Sequence, residues 1–416
     1  MKTRTFYALA ACLLPWTLAQ AASQVLPLDT RASAYFNGWP EAGAKQGGHY
    51  PGAVNLASSW LGKLDDDQLQ ALLARKGIAV QQPLGLYGTG SKAVAARLGK
   101  LGYRHISYLP NALADTAKLK ALPNYQALVP AFWLRDLQQG KPVTAAPAKG
   151  WKLFEVGWSV PKAYLLSHIP GAGYIDTNTL ESEPLWNKVD DKQLEATLLA
   201  QGITSSTPVI LYGRDTLMAA RAAHILMLAG VKDVRILDGG YPAWSAADYP
   251  VARGLPPPVT AARAWGGPFP AHPEWLVSTA EAKALLKSPN GRLASIRSWA
   301  EFTGETSGYS YIKPKGDIPG AAWGHGGVNA NDMSDFRNPD HTMRSADEIA
   351  AFWREAGILP EQRVAFYCGT GWRASEAFFY AYLMGWKQPA VYDGGWMEWS
   401  SDPANPVVRG ERPIKP

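Results

Sequence analysis

The chain has 416 residues, 47% of them hydrophobic and 18% charged, with a formal net charge of +6. That length allows two to four domains at the usual ~100–200 residues each, and the composition is globular, without a long charge run or a low-complexity tract. Basic residues are scattered and not interleaved with aromatics, which leaves no nucleic-acid footprint.

In chain order, residues 1–22 read as a secretory leader. Lys2 and Arg4 form a basic start, Phe6 to Leu18 an apolar stretch, and Ala19-Gln20-Ala21 a cleavage signature. The stretch is short for a bilayer, and no later run reaches the necessary ~20 apolar residues. The expectation is an exported, periplasmic protein with no membrane span. A rival lipoprotein reading of Leu9-Ala10-Ala11-Cys12 is opposed by the apolar Leu13-Leu14-Pro15-Trp16 that follows it. Removing the leader leaves Cys368 as the only cysteine, so no intramolecular disulfide is expected. A lone thiol in an oxidising compartment is a liability that function has to justify.

Beyond the leader the sequence repeats itself three times. Helical segments are predicted over Asp66–Ile78, Asp191–Ile203 and Ala346–Ile358; each starts polar and ends on a glycine suited to a left-handed C-cap, followed by isoleucine. Ser345 and Glu348 have capping-box spacing in the third. The glycine lies ten residues before the tyrosine that ends the next apolar strand in every case: Gly77 and Tyr87, Gly202 and Tyr212, Gly357 and Tyr367. Each unit also carries an upstream Pro-Gly-Ala, beginning at Pro51, Pro170 and Pro319. Strands alternating with helices in this way predict an α/β protein of three homologous domains, each a central parallel sheet flanked by helices. Polar or Pro-rich joints at Gly140–Gly150 and Gly254–Pro258 place the domains at 23–145, 146–257 and 258–416.

In such sheets ligands bind at the carboxyl ends of the strands, where strand meets helix. The strand Val364–Tyr367 runs into Cys368, the loop Gly369-Thr370-Gly371-Trp372-Arg373 follows, and a helix is predicted from Ala374. Loop amides and a helix N-terminus favour a thiolate there over the ordinary thiol of pKa ~8.5, which makes Cys368 a candidate nucleophile. A small buried core cysteine is the alternative; the loop setting and the absence of any other cysteine beyond the leader oppose it. The corresponding positions in the first two domains are Gly88 and Gly213. The second domain shares with the third a closing Asp-Gly-Gly, at Asp238 and Asp393, which the first lacks. Only the third domain is equipped for covalent chemistry. Its insertion, Trp323 to Arg344, is expected to hang over the site.

The Pro-Gly-Ala strand, the Tyr-Cys loop and helix, and the tail Asp393-Gly394-Gly395-Trp396 resemble the rhodanese-like sulfurtransferase family over essentially the whole mature chain, as a three-domain exported bacterial member. The resemblance implies that Cys368 takes sulfane sulfur from a small anionic donor such as thiosulfate, becomes a persulfide, and passes the sulfur to a thiophilic acceptor: cyanide, a thiol or an acceptor protein. Gly369, Thr370, Gly371, Trp372 and Arg373 are implied as the cradle, without a cofactor. Arg373 adds a fixed cation able to grip the donor; alternatively it ties the loop to a neighbouring acidic group. The sequence departs from the family where Ser295-Ile296-Arg297 replaces the common Asp-x-Arg, and where Glu301 stands at the place of a donor-binding arginine of two-domain members. Arg297 is open to a structural or a donor-binding role, and Lys313 and Lys315 are read as solvated lysines. The loop opens like those of mercaptopyruvate-using relatives and ends in arginine like thiosulfate-using ones, so 3-mercaptopyruvate sulfurtransferase is an alternative, as is a non-catalytic sulfur-carrier or binding scaffold. A Cys-dependent phosphatase needs five residues between cysteine and arginine, and here four intervene. His325 and His341 have no triad spacing, and the seven histidines show no metal-ligand pattern, so no metal is expected.

Overall fold

The computed structural model describes residues 24–412; the leader read at 1–22 lies outside them. Two compact units are present. The first comprises the chain up to Ala32 and His49–Leu119. Its sheet is parallel, with β1 (Leu26–Asp29) between β2 (Val54–Asn55) and β3 (Leu84–Tyr87), and β4 (Ile106–Tyr108) outside β3. Helix α1 (Asp66–Arg75) starts on an Asp65/Gln68 capping box, and α2 (Ser91–Lys100) follows β3.

The second unit comprises Ser33–Gly48 and the chain from Lys120, and holds two five-stranded parallel sheets. One is built from β5 (Leu128–Val129), β6 (Lys152–Gly157), β7 (Gly173–Asp176), β10 (Val209–Gly213) and β11 (Val234–Leu237), in the order β5-β11-β10-β6-β7. An antiparallel hairpin, β8 (Glu181–Ser182) and β9 (Asn187–Lys188), leaves this sheet after β7, and α3 (Asp191–Ala200) and α4 (Thr216–Ala229) complete the group. The other sheet has β12 (Leu276–Val277), β13 (Gly291–Ser295), β14 (Ala322–Trp323), β15 (Arg363–Tyr367) and β16 (Pro389–Tyr392), in the matching order β12-β16-β15-β13-β14. Its helices include α5 (Trp299–Thr303), α6 (Ala346–Glu355), α7 (Trp372–Leu383) and α8 (Gly395–Ser401).

The repeat has a physical basis. Gly77, Gly202 and Gly357 have φ of 69°, 65° and 69°, the left-handed C-cap at which a Cβ would be strained. The strand-ending tyrosines reach back to the Pro-Gly-Ala segments: Tyr87 accepts from the Tyr50 amide and Tyr212 from the Ile169 amide, each at 3.0 Å, while the Tyr367 hydroxyl bonds Asp317. One difference from the sequence reading lies at the 145/146 boundary. Leu128 and Val129 pair with Ile236 and Leu237, so the middle sheet begins upstream of residue 146. A two-residue edge strand carries no alternation that could reveal it.

The two sheets of the second unit share one apolar core. Helices α4 and α7 lie against each other, with His224 edge-on to Phe378 at 4.7 Å between ring centroids. Burying both helices there joins the Cys-less sheet group to the Cys-bearing one, and so fixes the hairpin β8–β9 beside the Cys368 loop.

Candidate active site

β15 is a central strand, bonded to β13 on one side and β16 on the other, and its last four residues are buried. It delivers Cys368, fully buried, to the carboxyl edge of the sheet. The chain then turns through Gly371, with φ of 92°, into α7. Among the described residues the backbone N–H groups of Gly369, Thr370, Gly371, Trp372 and Arg373 find no acceptor. Five orphan donors at a helix N-terminus form an anion cradle. On the other side of the loop, the Trp396 and Met397 amides of α8 donate to the carbonyls of Cys368 and Gly369 at 2.8 and 3.1 Å, which turns those carbonyls away from the cradle. This is what the Asp-Gly-Gly-Trp tail does locally.

The chain between α5 and the Pro-Gly-Ala segment crosses the loop. The ring of Tyr309 lies so close to Gly369 that a Cβ there would meet it at 2.2 Å, and Gly308 passes Glu301 with as little room. Tyr309 donates to the Ala330 carbonyl at 3.3 Å and accepts from Arg373 at 3.1 Å. Burial pushes its phenol up, so it stays protonated. Tyr311 packs on Tyr309 at 5.2 Å. Part of the insertion does reach the site: Ala330 and Asn331 line the cavity described below, and the Asn329 carbonyl accepts from Arg373.

Arg373 is buried, and both its terminal nitrogens bond Glu301 at 2.9 Å, a bidentate pair closed inside the domain. Only its Nε has no partner. Burial raises Glu301's carboxyl, but Arg373's charge and hydrogen bonds outweigh this, with help from Arg297 and Ser298, and hold it at about 2. Arg297 is also fully buried; it bonds the Gly316 carbonyl at 2.7 Å, Asp317 at 3.2 Å and Glu301 at 3.4 Å, and does not line the cavity. Its geometry is that of a strut between α5 and the Pro-Gly-Ala segment. Lys313 and Lys315 are exposed, each bonding a nearby carbonyl.

The cavity against this loop has a volume of about 740 Å³. The Cys368 side contributes Thr370, Trp372 and Arg373, and the hairpin β8–β9 contributes Glu181, Glu183 and Trp186. The hairpin is fastened by charge. Arg221 of α4, fully buried, bonds Glu181 at 2.9 Å, Asp393 at 2.6 Å and the Trp186 carbonyl at 3.1 Å. Asp393 also accepts from the Lys188 amide at 2.7 Å, and Glu181 accepts from the indole of Trp372 at 2.7 Å. The sequence pointed to Cys368 and its loop; it did not point to Tyr309, Tyr311, Glu181, Glu183 or Trp186. The run from Ser295 to Pro319 is longer than that from Gly157 to Pro170, a signal that something extra crosses the third domain. No sequence signal joins the hairpin to the loop.

A strand-end cysteine in a loop of free amides, opening a helix at the edge of a parallel α/β sheet, defines a cysteine-nucleophile class of α/β protein. The sequence matches the rhodanese-like domain over residues 146–247 and 278–402, and the chain belongs to that family. It is 55% identical to the thiosulfate sulfurtransferase YnjE of Escherichia coli over 96% of this chain and 92% of that protein. The YnjE crystal structure superposes with a TM-score of 0.92 at 53% identity, covering 98% of each chain. An anaerobic ergothioneine biosynthesis enzyme from Chlorobium limicola, solved with trimethyl histidine, superposes with a TM-score of 0.89 at 38% identity, over 95% of this chain and 98% of that one.

Proposed function

We propose that this protein is a sulfurtransferase that moves sulfane sulfur from thiosulfate to a thiophilic acceptor through a persulfide on Cys368. The observation that carries the reading is the placement of Cys368 at the end of β15, directly before the loop of free amides that opens α7, and the likeness to YnjE over nearly the whole chain supports it. The Cys368 thiolate attacks the outer sulfur of thiosulfate; the S–S bond of the donor breaks and sulfite leaves with the electron pair. The amides of Gly369 to Arg373 hold the sulfonate and then the terminal persulfide sulfur, work that needs oriented dipoles and no metal. An acceptor nucleophile then takes the outer sulfur, and Cys368 leaves as thiolate. Arg373 contributes its Nε–H and the rigidity of its pair with Glu301. The test is intact mass after mixing with thiosulfate: a gain of one sulfur, mapped to Cys368, is expected, and an unchanged mass would overturn the reading.

The protein also acts, on this proposal, outside the cytoplasm. Its mature form should begin near Ala22 and be recovered from the periplasmic fraction without lipid. N-terminal mass spectrometry checks this; a diacylglyceryl group on Cys12 would make it a lipoprotein instead.

A further inference from the structure

The cavity against the cradle is far larger than a small dianion requires, and the walls that face the cradle are aromatic and acidic. Five aromatic side chains line it: Trp158, Trp186, Tyr309, Tyr311 and Trp372. Trp158 is 57% exposed yet pinned by its indole to Asn178 at 2.8 Å, and stands edge-on to Trp186 at 6.1 Å between centroids. An exposed tryptophan held in one orientation costs apolar hydration and rotamer freedom, so its place at a cavity mouth calls for a ligand. Outside the cradle the side-chain charges point one way. Arg373, the one basic residue in the lining among the described residues, is neutralised by Glu301. Glu183 is exposed at the mouth with no ion-pair partner among the described residues, and Glu181 lies deeper, between Arg221 and Trp372. Burial pushes Glu181 up to about 7 despite Arg221, and Glu183 is the lining carboxyl that faces solvent. Aromatic faces beside an unpaired carboxylate recognise alkylammonium groups, through the ring quadrupole and through charge.

We infer that this cavity is the acceptor subsite, and that the acceptor is a small organic cation, such as one bearing a quaternary ammonium group, held by Trp186 and Glu183 of the β8–β9 hairpin with its nucleophile towards Cys368. The inference rests on the persulfide reading above and adds to it the chemical class of the acceptor. It also gives the Cys-less sheet group a role, because its hairpin supplies the wall that the Cys-bearing group lacks.

Three thiols of similar size and different charge separate the possibilities: thiocholine, 2-mercaptoethanol and 2-mercaptoethanesulfonate. Each thiolate attacks the outer sulfur of the Cys368 persulfide, the S–S bond to Cys368 breaks, and Cys368 departs as thiolate. The protein is loaded with thiosulfate, loading is verified by mass, and the single-turnover rate of sulfur loss is read for each thiol at equal thiolate concentration. Thiocholine should discharge the persulfide roughly tenfold faster than mercaptoethanol, with mercaptoethanesulfonate slowest. Trp186→Leu should remove most of that preference and Trp186→Phe keep part of it. Glu183→Gln, an exposed change that leaves the fold intact, should reduce it a few-fold and make it insensitive to salt. Failure to load would sink the persulfide reading itself. Normal loading followed by equal rates for the three thiols would overturn the cation subsite alone. Fastest discharge to the sulfonate would assign the cavity to an anionic acceptor, such as the carboxylate end of a protein tail, and overturn it too.

Discussion

Cys368→Ser should reduce sulfur transfer to background while leaving the fold in place. The serine hydroxyl is nearly the size of the thiol, so the buried position between β15 and α7 can hold it without a cavity. It is a weak nucleophile and forms no persulfide, so both half-reactions stop. The stability cost should be about 1–2 kcal/mol, because a hydroxyl replaces a thiol at a fully buried site. The measurements are the thiosulfate-dependent rate and a thermal melt of the same sample. Retained turnover in a well-folded variant would eliminate the covalent mechanism, whereas lost turnover in an unfolded one would say nothing, and Cys368→Ala then serves as the second variant.

The pair Arg373–Glu301 governs the second large effect. With its terminal nitrogens engaged by Glu301, Arg373 acts mainly by holding the loop, the alternative left open by the sequence. Arg373→Thr should therefore lower kcat/KM for thiosulfate and for mercaptopyruvate alike. It should also cost about 3 kcal/mol of stability, the low end for breaking a buried pair, because Arg297 and Ser298 still bond Glu301. A loss confined to thiosulfate would restore donor gripping as its role. The same pair sets an acid limit. Glu301's carboxyl is lowered from 4.5 to about 2 in the folded protein. Its contribution, about 3 kcal/mol, is present above pH 4.5 and is lost as pH falls from 4.5 through 2. Denaturant midpoints of the native protein should fall across that window, and those of Glu301→Gln should fall less. An identical slope in both would show that Glu301 is not the group responsible.

How much of this was legible follows from the kind of signal involved. The repeat is a chain-local pattern, so the Gly-Ile helix ends and the strand tyrosines disclosed three sheets of one design, and the lone Cys368 singled out the one to which the proposed chemistry is assigned. Glu301 was legible as a departure from the family pattern, though its grip on Arg373 was not, because the two are brought together only by the sheet order. The hairpin is the harder case. Glu181 and Trp186 carry no periodicity or motif, and their meeting with Trp372 depends on how α4 packs on α7. Orientation between repeats is written in side-chain complementarity over a whole core, which a reading of spacings does not reach.

The closing Asp-Gly-Gly corners bear on how this site arose. Asp393 of the Cys-bearing group accepts from the Lys188 amide in the other, and Asp238, its counterpart, accepts from the Met343 amide in return at 2.8 Å. Each of these two repeats thus clasps the other with the same residue, as two subunits of a symmetric dimer would. In a true homodimer any residue improved on one side of a site changes the other site as well. Fusing the copies into one chain lifts that constraint: one copy could surrender its nucleophile and let its hairpin diverge as a wall, while the other kept the cradle. An asymmetric pocket is the dividend of duplication, and evolution could tune its two halves separately.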